Sequence, residues 1–253
     1  MNSNSCLSVD GIEVLVIRKS IKNLHLSVMP PNGWVRVTAP DKIKDEVIKT
    51  LLAVKLRWIK KQQAKFQYQE RQTKREYIAG ESHYFFGKRY RLEVIFKDAK
   101  PSVFLKGNNK IILQVRPESS ESNRREIMHN WYREELSLFA GELIAEWEEK
   151  IGVKAEFFGI KRMRTQWGSC NHEKSRIWLN LELAKKPVNC IEYVIVHELI
   201  HIITKKHDEI FFSLMEKYLP NWKSIKEELN RFMLADEKWS VPNLTNYNSK
   251  LKS

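Results

Sequence analysis

Cysteine is scarce: the 253 residues hold three, Cys6, Cys170 and Cys190, and no Cys-x-x-Cys pair. That excludes a disulfide framework and a cysteine zinc knuckle, and leaves three small hydrophobes or inert thiols suited to a reducing compartment. No apolar run approaches the ~18 to 20 residues that a bilayer-spanning helix needs, so no membrane segment is expected. The opening residues MNSNSCLSVDG lack both the basic and the apolar region of a secretory signal. A cytoplasmic protein is the expectation. Internal repeats and low-complexity tracts are also missing. Apolar material is not: 42% hydrophobic and 11% aromatic residues supply a core and exclude a wholly disordered chain.

Charge is plentiful and uneven. Against 44 Lys+Arg stand 31 Asp+Glu, a net +13. Residues 1–116 hold 23 basic and 10 acidic side chains, whereas 117–253 hold 21 of each, so all of the excess belongs to the first half. The polar stretch Arg116-Pro117-Glu118-Ser119-Ser120-Glu121-Ser122 separates the two and reads as a boundary. The expected division is a basic β-rich domain over 1–116, a second domain over 117–236 and an irregular tail over 237–253.

Alternating apolar residues predict strands at 12–17, 24–29 and 34–38, the last following a Pro30-Pro31-Asn32-Gly33 turn. A helix then starts near Asp41 as its N-cap, with Ile43, Val47, Ile48, Leu51, Leu52, Leu56 and Ile59 at helical spacing. Its polar positions are lysines and arginines from Lys42 to Lys65. Strands follow at 83–86, 89–96, 102–106 and 110–115. The second half opens with a helix over about 122–150. Strands come at 153–160 and 176–181, then a helix from about Pro187 and two more at 208–218 and 222–234. The fold class is α+β.

The chemistry concentrates in Val196-His197-Glu198-Leu199-Ile200-His201, with His207 beyond it. Histidines four apart stack on one face of a helix, where both imidazoles can reach one cation. Glu198 lies about 100° further round, within reach of a water in the cation's open position. Two nitrogen ligands, a third from elsewhere and a carboxylate base make the pattern of a zinc hydrolase, in which a zinc-activated water attacks a carbonyl. The apolar run Ile191-Glu192-Tyr193-Val194-Ile195-Val196 buries this helix, and buried imidazoles without partners cost about 1–3 kcal/mol each. A metal removes that cost. For the third ligand His207 is favoured over Glu209 and Glu216. Its spacing matches enzymes with HExxHxxGxxH, but the position of their glycine is Thr204 here, so the turn must be made differently. Asp208 is placed to cap the next helix, in which Phe211, Phe212, Leu214 and Met215 pack. Met215 belongs with that core rather than with a Met-turn. Cys170 and His172 form too small a pair to argue a second metal site.

The order of Trp167-Gly168-Ser169-Cys170, Ile177-Trp178-Leu179-Asn180, the HELIH helix, His207 with Phe211-Phe212, and Leu219-Pro220-Asn221-Trp222 resembles the YgjP-like zinc metallopeptidases, relatives of the SprT-like proteases. Trp34 to Pro40, Trp58-Ile59 and Gly87-Lys88-Arg89-Tyr90 resemble the same family's N-terminal region, so the likeness runs from about residue 12 to 234. It implies a small zincin-like metallopeptidase domain with zinc on His197, His201 and His207, a catalytic Glu198, and a short sheet beside the active-site helix. The Trp167–Cys170 block reads either as Trp167 packed against the helix with Cys170 buried, which is favoured, or as a tight Gly-Ser turn before a strand, near which an extended peptide would add. Asn180 is a candidate to orient a ligand through a hydrogen bond. Tyr193, Arg162, Arg164 and Tyr218 are candidates to stabilise an oxyanion.

Two functions follow. The leading one is a zinc-dependent peptidase acting on peptides or proteins. The alternative is a nucleic-acid-binding accessory protein with a structural or secondary zinc site. It rests on the basic helix at 42–65 and on Trp34, Trp58, Phe66 and Tyr68.

Overall fold

The computed structural model describes residues 4–29, 33–68, 75–163 and 166–231. Pro30 to Asn32, Arg164 and the tail from 237 lie outside the described residues, as do the side chains of Lys65, Phe66 and Tyr68. The described residues fall into two compact units, one within Met1–Arg71 and one within Gln72–Asp236.

The first unit is a four-stranded sheet and one helix. Strands β1 (Asn4–Val9), β2 (Ile12–Lys19), β3 (His25–Met29) and β4 (Trp34–Pro40) lie in the order β1-β2-β4-β3, and helix α1 spans Asp45–Tyr68. The expected alternation at 34–38 holds: Val35, Val37 and Ala39 are buried with Val14, Val16, Ile48, Leu52 and Ile59 in one core. Helix α1 starts four residues after the expected cap at Asp41 because β4 runs through Pro40. Arg18 then holds the corner, donating to the Ile43 carbonyl and pairing with Asp45. Strand β1 was not expected. It is a short edge strand whose pairing with β2 decides its conformation.

The second unit repeats that plan and adds to it. Strands β5 (Ser82–Phe85), β6 (Lys88–Phe96), β7 (Ser102–Lys106) and β8 (Lys110–Val115) lie in the order β5-β6-β8-β7, followed by helix α2 (Glu121–Ile151). In both sheets the first two strands form an antiparallel hairpin. The second and fourth strands run parallel, and the third pairs antiparallel with the fourth. The hairpin turns also match, with positive φ at Asp10 and Gly11 (50° and 74°) and at Phe86 and Gly87 (45° and 79°). No repeat was legible in the sequence, yet the chain forms the same ββββα arrangement twice.

The division at Arg71/Gln72 differs from the boundary expected near Arg116. The 116–122 stretch only links β8 to α2, where Ser120 caps the helix by accepting from the Asn123 amide. Packing overrides composition there: Leu92, Ile111, Leu113 and Val115 of the sheet share one core with Met128, Trp131 and Tyr132 of α2. Residues 1–71 consequently carry 13 basic and 6 acidic side chains, and 72–116 carry 10 and 4, so the positive excess is divided between the units.

The rest of the second unit comprises β9 (Phe157–Lys161), β10 (Gly168–Asn171), β11 (Arg176–Asn180), α3 (Val188–Ile200), α4 (Glu209–Tyr218) and α5 (Trp222–Arg231). The order β10-β11-β9 makes β10 an edge strand, antiparallel to β11. The Trp167–Cys170 block is therefore mostly strand rather than the expected turn before one. Its extended state comes from pairing with β11. No helix of the described residues is long and apolar enough to cross a membrane.

Helix α3 is apolar on nearly every face and buries Cys190, Ile191, Val194, Ile195, Val196, Leu199 and Ile200 in the same core. The residues leading into it, Ala184 and Pro187, rest on the β5–β6 hairpin. The Phe86 amide donates to the Ala184 carbonyl at 2.8 Å, and a Cβ at Gly87 would lie 2.8 Å from the Pro187 Cα. Gly87→Ala meets both that clash and a left-handed φ, so a stability loss of about 1–3 kcal/mol is expected in reversible denaturation. Thermal unfolding of the variant at the wild-type temperature would contradict the docking.

Candidate metal centre

His197 and Glu198 stand on the last turn of α3, and His201 is the residue just past it, still helical at φ −67° and ψ −11°. The chain then tightens: Ile203 and Thr204 both bond back to the Ile200 carbonyl, at 2.9 and 3.1 Å. Thr204 makes this turn without a positive φ, so no glycine is needed. Its hydroxyl donates to Asp208 Oδ2 at 3.0 Å, while Asp208 Oδ1 accepts from the Phe211 amide and caps α4 as expected. This short bridge brings His207 back over the end of α3.

Three imidazoles meet there. His207 Nε2 lies 3.1 Å from His197 Nε2 and 3.2 Å from His201 Nε2. Zinc–nitrogen bonds of 2.0–2.1 Å at tetrahedral angles separate ligand nitrogens by ~3.3 Å, so the spacing fits one shared cation. The tautomer of His201 fits as well. Its Nδ1 lies 2.9 Å from the Thr204 carbonyl, which can only accept, so the proton is on Nδ1 and the Nε2 lone pair faces the cluster. Burial, then the neighbouring imidazoles, lowers His197 to about 3, leaving that ring neutral at ordinary pH. Beneath all three rings lies Phe211, with centroids 4.5 to 4.9 Å away. Among the described residues these histidines are the one group arranged to share a metal. Glu209 and Glu216 are not in it, and Glu216 is engaged by the Trp222 indole and Lys223.

Glu198 is 5% exposed. No hydrogen bond from the described residues reaches its carboxylate, and burial pushes it up to about 8. An ionised carboxylate in that position requires a cation nearby. One wall of its niche is Gly168, where a Cβ would fall 2.5 Å from Glu198 Oε1 and 2.8 Å from both its Cγ and Val194 Cγ1. The glycine of the Trp-Gly-Ser-Cys block is thus what allows β10 to lie directly against the carboxylate.

These groups line a cleft of about 370 Å³, together with Trp167, Ser169, Cys170, His172 and Tyr193. Of the four oxyanion candidates only Tyr193 is at the cleft among the described residues; Arg162 and Tyr218 are not. Burial and then Glu198 raise its hydroxyl to about 12. Asn180 does not reach an imidazole. It donates to the carbonyls of Met163 and Gln166 and accepts from the amides of Met163 and Glu182, which saturates the side chain. Its role is to hold the loop leading into β10. His172 Nδ1 instead reaches the His201 carbonyl at 2.9 Å, and burial followed by Glu198 pushes the Cys170 thiol up to about 11. Sequence reasoning placed the Gly168-Ser169 turn near the cleft and Phe211 in the α4 core, but missed Gly168 as a wall of the Glu198 niche and Phe211 as the floor beneath the imidazoles. The only signals were that Phe211 lies four residues beyond His207, one helical turn, and that a glycine opens a strand.

A family model described as YgjP-like, metallopeptidase domain, matches residues 22–232. No curated protein matches the chain. Among solved structures, the metallopeptidase zymogen of Pyrococcus abyssi abylysin is 19% identical and covers 36% of this chain and 90% of its own, with a TM-score of 0.34. The zymogen of Methanocaldococcus jannaschii jannalysin is 20% identical over 36% and 92%, with a TM-score of 0.33.

The Gly168 contact is directly testable. The three atoms nearest to a Cβ at Gly168 belong to Glu198 and Val194 and to no imidazole, so Gly168→Ala is expected to lower peptide cleavage by about 10- to 100-fold while metal content, read by atomic absorption, stays at the wild-type level. Unchanged cleavage would show that the contact does not position the carboxylate.

Proposed function

The chain belongs to the YgjP-like metallopeptidase family, and on that premise we propose that it is a zinc-dependent peptidase. His197, His201 and His207 hold the metal, and Glu198 moves the proton of the attacking water. The observation that carries this reading is the convergence of three Nε2 atoms beside a buried carboxylate that has no other partner among the described residues. Three neutral imidazoles are a donor set suited to zinc, with a fourth position left for water or substrate. When bound, zinc supplies Lewis acidity, polarising the scissile carbonyl and acidifying water near neutral pH.

The remaining work falls to side chains. Glu198 accepts the proton of the attacking water and returns it to the leaving amine, so its affinity for a proton must lie near that of its surroundings. Its niche against Gly168 and Val194 excludes bulk solvent and fixes the direction of the carboxylate. Thr204 holds the His201 ring, and Phe211 packs beneath all three. The Tyr193 hydroxyl stays protonated and is available to donate to the oxyanion that develops on the carbonyl. A substrate peptide adds in extended form along the open edge of β10.

Family membership favours this reading over a nucleic-acid-binding accessory role. The basic helix that motivated the alternative, α1, lies wholly in the first unit.

In a casein or peptide assay, Glu198→Gln is expected to lower turnover by about 10²- to 10⁴-fold while zinc remains near one per chain. Equal cleavage by wild type and variant would remove the assignment. His207→Ala is expected to lose zinc on dialysis where Glu209→Gln keeps it; the reverse order would put the third ligand on α4.

A further inference from the structure

The cleft has more charge than the reaction uses. Besides His172, His197, His201, His207 and Glu198, its lining includes Lys205, in the bridge between α3 and α4, and Lys226, on α5. Among the described residues no carboxylate pairs with either one. Lys223, on the same helix as Lys226, is by contrast paired with Glu216 at 3.4 Å. The Lys226 ammonium lies over the ring of Trp222, 5.5 Å from its centroid, and Trp222 is itself stacked on Phe212 at 5.8 Å and 21°.

Two lysines and one carboxylate line the cleft. Glu198 is committed to the water, so neither lysine has a counter-charge among the described residues, and a divalent cation adds further positive charge. A neutral peptide leaves this imbalance unanswered, whereas a peptide with a carboxylate near the bond to be cut neutralises it. We propose that Lys226, assisted by Lys205, selects substrates carrying a carboxylate close to the scissile bond. This rests on the peptidase reading and names the substrate class for the same site. The carboxylate is either an acidic side chain or a free chain terminus, since both present the same group. The lysines are exposed, so the preference is moderate and falls with ionic strength as the screening length shortens from about 10 Å at 0.1 M salt to about 3 Å at 1 M.

The test uses the full zinc-loaded chain and internally quenched peptide pairs in two arms. One arm compares Glu with Gln at the positions flanking the scissile bond, and the other a free C-terminal acid with its amide. The acid member of at least one pair is expected to have a kcat/KM about tenfold higher at low salt, with the ratio falling toward one at 1 M salt. The responding arm identifies the source of the carboxylate. Lys226→Glu is expected to abolish or invert that ratio, Lys205→Glu to reduce it, and Lys223→Glu to leave it at the wild-type value. The same order is expected without turnover, as anisotropy of the labelled peptides on the Glu198→Gln protein. Cleavage with a ratio of one in both arms, or a ratio that survives Lys226→Glu, overturns the proposal and leaves the peptidase reading standing. A uniform loss on every peptide in Lys226→Glu also overturns it, because that would make the lysine a general electrophile. If zinc-loaded wild type cleaves none of the peptides, the peptidase reading fails and this proposal with it.

Discussion

The burial of one carboxylate is the constraint on which the rest of the site depends. Glu198 is enclosed by Val194 of its own helix and by the backbone of β10 at Gly168, and burial alone holds its proton up to about 8. A charge there is tolerated only opposite a cation, and the His207 Nε2 atom lies within 3.2 Å of the Nε2 atoms of both His197 and His201, one residue and one helical turn away from Glu198. Neither half makes sense alone. Three lone pairs aimed at one point repel, and an unpartnered carboxylate prefers its neutral form. A shared divalent ion resolves both, and family membership implies such an ion.

The fold meets this constraint with rigid parts. Helix α3 is buried almost all round, so its last turn cannot rotate the histidines away. Its start is seated on the Phe86-Gly87 hairpin tip, where a bulky aromatic residue takes a left-handed φ of 45°. Its end is turned by Thr204 and Asp208 into α4, whose first buried side chain, Phe211, becomes the floor under the imidazoles. The ββββα arrangement occurs in both units, but in the second unit its hairpin, sheet and long helix share a core with α3 and so support the site.

The residues that do chemistry were legible because their pattern is local. His197, Glu198 and His201 fall on one turn, and His207 lies close enough that a short bridge returns it. The supporting residues were not, because their roles arise from distant pairing. Gly168 reads as a turn until β11 pairs with its strand, and Asn180 reads as a ligand's partner until Met163 and Gln166 take three of its hydrogen bonds and Glu182 the fourth. Three serines and one proline after Arg116 imitate a domain boundary, although the side chains on either side of that stretch pack into a single core. Lys226 is one of many lysines in the chain, set apart only when α5 brings it to the cleft. The repeated topology left no trace in residue identity because the two sheets need only alternation and a left-handed turn, which Asp-Gly and Phe-Gly supply equally.

X-ray absorption at the zinc edge of the zinc-loaded protein tests the central claim most directly. The account predicts a four-coordinate shell of three imidazole nitrogens and one oxygen at about 2.0–2.1 Å, with the outer-shell scattering of histidine rings. A sulfur scatterer at about 2.3 Å, which would bring in Cys170, or a shell made of oxygens alone would contradict it.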